Sequence, residues 1–279
     1  MLSQEELSSL QETIYNLAFD FDGFCKTEEI DYYLMGGTAL GAMRHQGFIP
    51  WDDDFDVFMD RANYLKFTKV AAARLSDKYY FQKEDTEEWP LYFSKVRING
   101  TTFVEKDVAG RDMHHGIYID IMCLSGAFEN PFLRYLQYIA ARLLTAGALS
   151  RRGYLTDSFK KRGLLGVARI LLAPLFVRRG LLAFVRWFGV KNTLLVGHFF
   201  GRAPFPRTTF PREYLPGGRR VKFCDGEFPV PGQVEKYLTL RYGEDFMKLP
   251  SQEVRDQYPS HAYIVDVTKP YSDCHDANT

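Results

Sequence analysis

The chain has 279 residues, of which 46% are hydrophobic and 25% charged, proportions that exclude a fully disordered or fibrous protein. Its 35 Lys/Arg residues balance 35 Asp/Glu residues, so no overall positive charge indicates nucleic acid as a partner. The four cysteines are scattered without a C-x-x-C pair, which argues against a disulfide framework or a cysteine zinc site and favours a reducing compartment.

The first predicted element is an amphipathic helix over residues 4–24, where apolar residues recur every three or four positions. This N-terminal stretch is acidic and lacks the basic start and apolar centre of a signal peptide. No uncharged apolar run in the chain approaches the roughly 18 residues of a membrane span. We therefore expect a cytoplasmic protein.

A short strand over residues 31–35 is predicted to end at Gly36-Gly37, and Thr38 is predicted to cap a helix that runs to about His45. Glycine amides at the start of a helix can approach a phosphate closely, and the helix N-terminus favours negative charge. Gly36, Gly37 and Thr38 are therefore candidate substrate-binding residues. The alternative is that the strand-to-helix turn alone requires the glycines.

Four aspartates lie within residues 52–56, immediately before and within a strand predicted over Phe55–Met59. Because side chains alternate along a strand, Asp54 and Asp56 point the same way while the apolar residues between them enter the core. Two such carboxylates repel unless a cation lies between them, and Mg²⁺ or Mn²⁺ suits an all-oxygen site. Asp52 and Asp53 are candidates to contact the metal through water or to orient neighbouring groups, with direct ligation as the alternative. The alternative is a solvated acidic loop.

The region that follows is predicted as a helix over 61–76 and strands over 79–83, 92–98, 102–105 and 116–122, with a tight turn at Asn99-Gly100. Asp120 is the only acid in the otherwise apolar last strand. A buried acid is costly unless it is paired or bound to metal, so Asp120 is the candidate third ligand. The alternative is an acid on an edge strand that faces water.

Two further groups of residues have both a functional and a structural interpretation. His114 and His115 precede the strand of Asp120 and are candidate metal ligands, although a solvated turn fits the sequence better. Trp89 and Tyr92 can hold a quaternary ammonium group by cation–π attraction. Because 15% of the chain is aromatic, packing in the core is the simpler interpretation.

Residues 134–202 have a distinct composition, with thirteen Lys/Arg residues and one acid, Asp157. Leu164, Val167, Leu171 and Leu175 recur at helical spacing, and Gly163, Pro174 and Gly180 are predicted breaks. An apolar stripe edged by bases is typical of a helix that lies in a membrane interface. The alternative is a helical subdomain packed on an acidic surface of the catalytic core. The tail returns to short mixed elements, with a helix predicted over 233–242.

The order of glycine turn, helix and strand with Asp-x-Asp resembles polymerase-beta-type nucleotidyltransferases. The block from Gly37 to Val57 (GTALGAMRHQGFIPWDDDFDV) resembles more closely the signature of the LicD family, which includes phosphocholine transferases and the fukutin group. The likeness spans roughly residues 28–125 and 210–260, and also rests on Lys95–Glu105, Gly116–Ile121 and Pro229–Glu244. One departure is Met122-Cys123-Leu124-Ser125, where the family commonly has Phe-Pro-Leu-Asp.

This resemblance implies an α+β, nucleotidyltransferase-like mixed sheet flanked by helices. The predicted organisation is a catalytic core in residues 1–130, a basic amphipathic helical insertion in 131–204, and a C-terminal part in 205–279 that completes the core. It also implies that Asp54, Asp56 and Asp120 are catalytic and bind a pair of Mg²⁺ or Mn²⁺ ions. Asp120 is the predicted acceptor of the proton from the attacking hydroxyl.

The implied reaction transfers phosphocholine, or a related phospho-alcohol, from a CDP-linked donor to a sugar hydroxyl. Arg44, Lys95 and Arg97 are candidates to balance charge on the leaving CMP, with ordinary pairing to acids as the alternative. The expected acceptor is a lipid-linked precursor of teichoic acid, capsule or lipopolysaccharide. The expected location is therefore the inner face of the plasma membrane, with residues 134–202 on an anionic surface. The alternatives are synthesis of a nucleotide-activated compound and an inactive scaffold that binds glycan lipid.

Overall fold

The computed structural model describes residues 2–105, 108–109, 111–153, 159–255 and 260–274, and they form an α+β protein with mixed sheets. Asp157, the one acid of the predicted basic segment, lies outside the described residues. The helices are α1 (Gln4–Thr27), α2 (Gly36–His45), α3 (Arg61–Arg74), α4 (Pro131–Arg152), α5 (Phe159–Leu171), α6 (Leu175–Val185), α7 (Phe205–Thr208), α8 (Val234–Tyr242), α9 (Gln252–Arg255) and α10 (Tyr271–Cys274). The strands are β1 (Tyr33–Leu34), β2 (Asp56–Met59), β3 (Tyr79–Gln82), β4 (Ser94–Ile98), β5 (Thr102–Glu105), β6 (Tyr118–Cys123), β7 (Ser125–Ala127), β8 (Leu195–Gly197), β9 (Thr209–Pro211), β10 (Arg219–Phe223), β11 (Gly226–Val230) and β12 (Ala262–Asp266).

The central sheet has five strands in the order β1-β2-β6-β4-β3. Strands β2 and β6 run parallel, and every other neighbouring pair in this sheet is antiparallel. Smaller sheets join β5 to β12, β10 to β11, and β7 to β8 and β9. The pairing of β5 with β12 brings the C-terminal segment to the central part of the chain, so residues distant in sequence meet beside the sheet.

The two faces of the central sheet differ in chemistry because side chains alternate along each strand. One face contributes apolar residues to a hydrophobic core shared with α1, α2 and α3: Val57, Met59, Val96, Ile98, Ile119 and Ile121. On the other face, Asp56, Asp120, Lys95 and Gln82 are successive register partners across four strands. A row of polar side chains therefore crosses the sheet on the face opposite the main apolar layer.

A second hydrophobic core lies between the helices of residues 131–185 and the loop that precedes β4. Ala141 and Leu144 of α4, Leu172 after α5 and Val185 of α6 pack there with Trp89. The helical character predicted for this segment is confirmed. Pro174 does separate two helices, but the predicted breaks at Gly163 and Gly180 are wrong, because both residues lie inside helices. A glycine costs a helix only about 1 kcal/mol, less than a proline.

The local predictions for the N-terminal half are mostly confirmed, with one correction. Thr38 does not cap α2: that helix begins at Gly36, and Met35 occupies the N-cap position without a side-chain hydrogen bond. The Thr38 hydroxyl accepts a hydrogen bond of 2.8 Å from the backbone N–H of Asp56. The predicted turn at Asn99-Gly100 is present, and Gly100 has a positive φ of 75°.

Candidate active site

Two of the predicted acids lie side by side on the polar face of the central sheet. Asp56 is the first residue of β2, and its register partner on the parallel strand β6 is Asp120. Partners on neighbouring parallel strands project to the same face. Asp54 lies two residues before Asp56, and its side chain is 21% exposed. The structure thus brings acids from two separate strands to one accessible position.

The electrostatics of this cluster show that its negative charges are crowded. Burial raises the pKa of Asp56 well above its usual value, and the nearby charges of Asp54 and Asp120 raise it further. Burial likewise raises the pKa of Asp54 to about 6, although His261 acts in the opposite direction. Carboxylates that destabilise one another in this way are stabilised by a cation placed among them.

Lys95 provides the cation nearest to Asp120. Its side chain is 2% exposed, and its Nζ lies 2.9 Å from Asp120 Oδ1 and 3.5 Å from Glu105 Oε1. Asp120 Oδ1 is buried, and apart from this ion pair it has no hydrogen bond to any described residue. Its negative charge is therefore balanced by proximity to Lys95, and the oxygen retains unused capacity to bind a ligand.

The glycine pair at the start of α2 packs against the acidic residues. Gly36 has a φ of +66°, and a methyl group added to it would lie 3.4 Å from Asp56 Oδ2. A methyl group on Gly37 would lie 3.1 Å from Asp52 Oδ2. The missing side chains therefore let the N-terminus of α2 approach the carboxylates closely. The N–H of Gly36 donates a hydrogen bond of 3.1 Å to the hydroxyl of Tyr237, so this amide is engaged by the protein itself. The contact predicted between the glycine amides and a phosphate stays a prediction.

The three candidate bases lie in different environments. Arg97 is 1% exposed and donates hydrogen bonds of 2.8 Å to Gln82 Oε1 and to the carbonyl of Gly116. Arg44 is half-buried and donates to the carbonyls of Phe246 and Lys248 at 3.0 and 3.2 Å. Only Lys95 touches one of the predicted acids through a contact described here. The predicted contacts of Arg44 and Arg97 with a nucleotide stay predictions.

Several other candidate residues are engaged by the protein itself. His114 Nε2 lies 2.9 Å from Asn99 Oδ1, and His115 Nε2 lies 2.9 Å from the carbonyl of Arg111. Trp89 and Tyr92 are both buried in the second hydrophobic core, which confirms the interpretation as core residues. Among the described residues, no group of three or more His, Cys, Asp or Glu side chains is already arranged to hold a metal ion.

The C-terminal segment adds residues that the sequence interpretation missed. Asp53 accepts hydrogen bonds from Ser260 Oγ at 2.5 Å, His261 Nδ1 at 3.0 Å and the backbone N–H of Ala262 at 2.9 Å. His261 Nδ1 also lies 3.8 Å from Asp54 Oδ2. These contacts fasten the loop of the acids to the start of β12. The pairing of Asp53 with His261 spans 208 positions, so no local pattern indicated it.

The pairing of Asp53 with His261 predicts a pH-dependent contribution to stability. Its hydrogen bond to Asp53 raises the pKa of His261, although burial opposes the change. Burial raises the pKa of Asp53, but the hydrogen bonds from His261, Ser260 and Ala262 outweigh it and lower the pKa overall. The stabilisation is therefore lost as the pH rises through the raised value for His261 or falls through the lowered value for Asp53.

We expect His261→Ala to lower the free energy of unfolding by about 1 to 2 kcal/mol between pH ~4 and ~6.5, and by less above that range. Urea unfolding of wild type and variant in EDTA, repeated from pH 5 to 8.5, measures the difference without bound metal. If the difference in the free energy of unfolding between wild type and His261→Ala stayed constant from pH 5 to 8.5, the ion pair of His261 with Asp53 would be excluded.

Several arginines of the helical segment pair with acids of the rest of the protein. Arg186 forms two hydrogen bonds with Glu84, at 2.6 and 2.8 Å, and Arg152 forms an ion pair with Glu105. Arg151 and Arg178 lie 3.5 and 3.4 Å from Asp85 Oδ1. Four of the thirteen bases therefore attach the helices to acids that lie outside the segment, as the alternative interpretation of this region predicts.

The same helical segment also exposes large apolar side chains. Ile170 is 75% exposed and Phe176 is 78% exposed. Others are Phe132, Tyr135, Leu136, Val167, Leu171, Leu175 and Trp187. Three of the remaining bases, Arg169, Arg179 and Lys191, are exposed as well. Among the described residues, no helix combines the length and apolar character needed to cross a membrane.

Comparison with known proteins places these observations in context. Residues 29–122, which contain the three acids, match the model of the LicD/FKTN/FKRP nucleotidyltransferase domain. The chain is 27% identical over 267 residues to the lipopolysaccharide cholinephosphotransferase LicD of Haemophilus influenzae, a match that covers 93% of this chain and 98% of that protein. An uncharacterised protein of Rickettsia typhi is 36% identical over 58 residues, covering 21% of this chain and 19% of that protein. One from Rickettsia prowazekii is 44% identical over 45 residues, covering 16% of this chain and 17% of that protein.

Proposed function

We propose that this protein, whose residues 29–122 match the model of the LicD/FKTN/FKRP nucleotidyltransferase domain, transfers phosphocholine, or a related phospho-alcohol, from a CDP-linked donor to a glycan. The acceptor group is a sugar hydroxyl of a lipid-linked precursor of a cell-surface glycan. The observation that carries the proposal is the register pair of Asp56 and Asp120 on one face of the sheet, with Asp54 beside it. The relative that matches along nearly its whole length is a cholinephosphotransferase of lipopolysaccharide.

The donor groups at this position suit Mg²⁺ or Mn²⁺. The three aspartates offer only oxygen, Asp120 Oδ1 has unused capacity, and the crowded charges favour a cation. We propose that Asp54, Asp56 and Asp120 hold two such ions. Ions held there would supply positive charge that neutralises the pyrophosphate of the donor and favours in-line displacement at its phosphorus.

The side chains and amides around the acids perform the remaining steps. The amide of Gly37, at the start of α2, borders the position proposed for the donor phosphates. Gly36, whose N–H donates to the Tyr237 hydroxyl, contributes through its missing side chain, which allows close approach. Asp120 accepts the proton of the attacking sugar hydroxyl, and the phosphocholine group passes to that oxygen as the bond to CMP breaks. Lys95 and Arg97 supply buried positive charge on the same face, which favours the anionic leaving group, and Arg44 is proposed to assist.

The proposal is tested by supplying CDP-choline, CDP-ethanolamine, CDP-ribitol or CDP-glycerol with Mg²⁺ or Mn²⁺ and an acceptor glycan. With one of these donors we expect release of CMP and a gain in the mass of the glycan that equals the mass of the transferred group. In EDTA we expect neither. Formation of a CDP-linked compound from CTP and an alcohol phosphate, without transfer to glycan, would identify the alternative activity of a nucleotidyltransferase. A protein inactive in both assays would contradict both proposals.

We further propose that residues 131–204 are an insertion into a catalytic core made by residues 1–130 and 205–279, and that it attaches the enzyme to the cytoplasmic face of an anionic membrane. The exposed apolar residues of α4, α5 and α6, with bases beside them, have the character of a membrane-interface helix. The arginines that pair with Glu84, Asp85 and Glu105 attach the helices to the core, and the exposed apolar side chains are the ones proposed to face lipid.

Replacing Ile170 and Phe176 with aspartate is expected to weaken binding to anionic vesicles by at least about tenfold, because two large apolar contacts are lost and negative charge is added. Both residues are highly exposed, so the fold should be retained. Flotation with phosphatidylglycerol vesicles measures binding, and Leu65→Asp on α3, also exposed, is the matched control. If wild type, the double variant of Ile170 and Phe176, and Leu65→Asp floated equally with the vesicles, this surface would be excluded as the membrane contact.

A further inference from the structure

A chain of alternating charges joins the proposed active site to the helical insertion. Asp120 Oδ1 lies 2.9 Å from Lys95 Nζ, which lies 3.5 Å from Glu105 Oε1. The other oxygen of Glu105 accepts a hydrogen bond from the guanidinium of Arg152. At most 17% of any of these four side chains is exposed. Ion pairs between such buried side chains are poorly screened by solvent. Removing the charge of one side chain therefore changes the force on its neighbour, and with it the neighbour's position.

Aromatic rings enclose this chain of charges. Lys95 Nζ lies 3.1 Å from the ring centroid of Tyr118 and 5.0 Å from that of Trp89. The guanidinium carbon of Arg152 also lies 5.0 Å from the centroid of the Trp89 ring. Both cations therefore contact the same buried indole, and cation–π attraction adds to the ion pairs in setting their positions.

Arg152 is the last residue of α4, and its neighbour Arg151 provides an internal comparison. Arg151 lies at the same helix end, but it pairs with Asp85 and donates to the carbonyl of Pro90. Of these two arginines, only Arg152 forms an ion pair with Glu105 among the described residues. Loss of Arg152 leaves the Glu105 carboxylate with Lys95 as its remaining ion-pair partner and with the charge of Arg97 nearby. We then expect Lys95 to move towards Glu105 and away from Asp120.

We propose that Arg152, a residue of the insertion outside the matched domain, positions Asp120 for the transfer reaction by holding Glu105 and, through it, Lys95. This inference rests on the proposed function for its catalytic consequence, and on the geometry alone for the coupling between the two residues. Arg152 is a positioning residue in this account, because it acts on Asp120 through two intermediates. The helical insertion thus contributes to the arrangement of the active site as well as to attachment.

The kinetic test compares Arg152→Met with Arg151→Met. We expect Arg152→Met to lower kcat at least about tenfold with the KM for the CDP-linked donor changed less than about twofold, because a residue that acts through Glu105 and Lys95 affects the reaction step more than donor binding. Arg152→Lys, which keeps the positive charge, should have a higher kcat than Arg152→Met. Combining Arg152→Met with Glu105→Gln removes the unpaired charge and should also recover part of kcat. Arg151→Met should retain kcat. Equal losses in the two methionine variants, or no recovery in the double variant, would overturn the proposal.

A second test does not depend on activity. A double-mutant cycle between Arg152→Met and Asp120→Asn, measured by urea unfolding in EDTA, should show non-additivity of at least about threefold in the unfolding equilibrium constant. The same cycle with Arg151→Met should be additive. Additivity in both cycles would overturn the inference, whereas failure of every CDP-linked donor with intact coupling would reject only the proposed function. Arg152→Lys replaces Arg152→Met in the cycle if the latter does not fold.

Discussion

Replacing Asp56 with asparagine is expected to lower the rate of phosphocholine transfer by at least about 100-fold. Substitutions in the outer shell of a metal site cost about 10- to 100-fold, and a direct ligand contributes more than such a neighbour. The same substitution should leave the metal-free protein at least as stable as wild type at pH 7. The reason is that burial and the neighbouring acids raise the pKa of Asp56, so its ionised form opposes folding.

Release of CMP measures the first effect, and urea unfolding in EDTA measures the second. The matched control is Asp60→Asn, the same substitution four residues further along. Asp60 caps α3 through a hydrogen bond to the N–H of Asn63, and asparagine caps helices about as well as aspartate. If Asp56→Asn destabilised the metal-free protein or retained transfer activity, the proposed role of the acid cluster would be wrong.

The second large effect is expected at the junction between the helical insertion and the core. Arg186→Met should lower the free energy of unfolding by about 3 to 5 kcal/mol, because it leaves the carboxylate of Glu84 buried without its bidentate partner. Both oxygens of Glu84 accept hydrogen bonds from the Arg186 guanidinium, and both side chains are largely buried. Urea unfolding at neutral pH measures the loss.

Two further variants separate the ion pair from simple packing. Combining Arg186→Met with Glu84→Gln should recover most of the lost stability, since no unpaired charge then remains buried. Arg178→Met, which removes a more accessible arginine 3.4 Å from Asp85, should cost about 1 kcal/mol. Similar losses for Arg178→Met and Arg186→Met, without recovery in the double variant, would argue against the buried ion pair.

Elements with a strong local pattern were predictable from sequence. Acids alternate with apolar residues from Asp54 to Val57, and Asp120 is the one acid in an otherwise apolar run; the structure has strands at both positions. Alternation also predicts that Asp54 and Asp56 share a side. It cannot predict that β2 and β6 are parallel neighbours with Asp56 opposite Asp120, because register depends on the packing of the whole sheet.

Features that depend on distant contacts were missed or wrongly assigned. Thr38 was predicted to cap a helix because threonine favours that position, yet its hydroxyl binds the N–H of Asp56. The charge run of the insertion was visible, but the inward direction of Arg152 and Arg186 was not, since their partners lie 47 and 102 positions away. His261 had no local signal at all.

The most direct measurement of the central claim is a titration of Mn²⁺ into wild type, Asp56→Asn and Asp120→Asn, followed by electron paramagnetic resonance with CDP-choline present. If acids of both strands hold the cation, each substitution should weaken Mn²⁺ binding by at least about tenfold, while Asp60→Asn should bind as wild type. Unchanged Mn²⁺ affinity in both Asp56→Asn and Asp120→Asn would contradict the account.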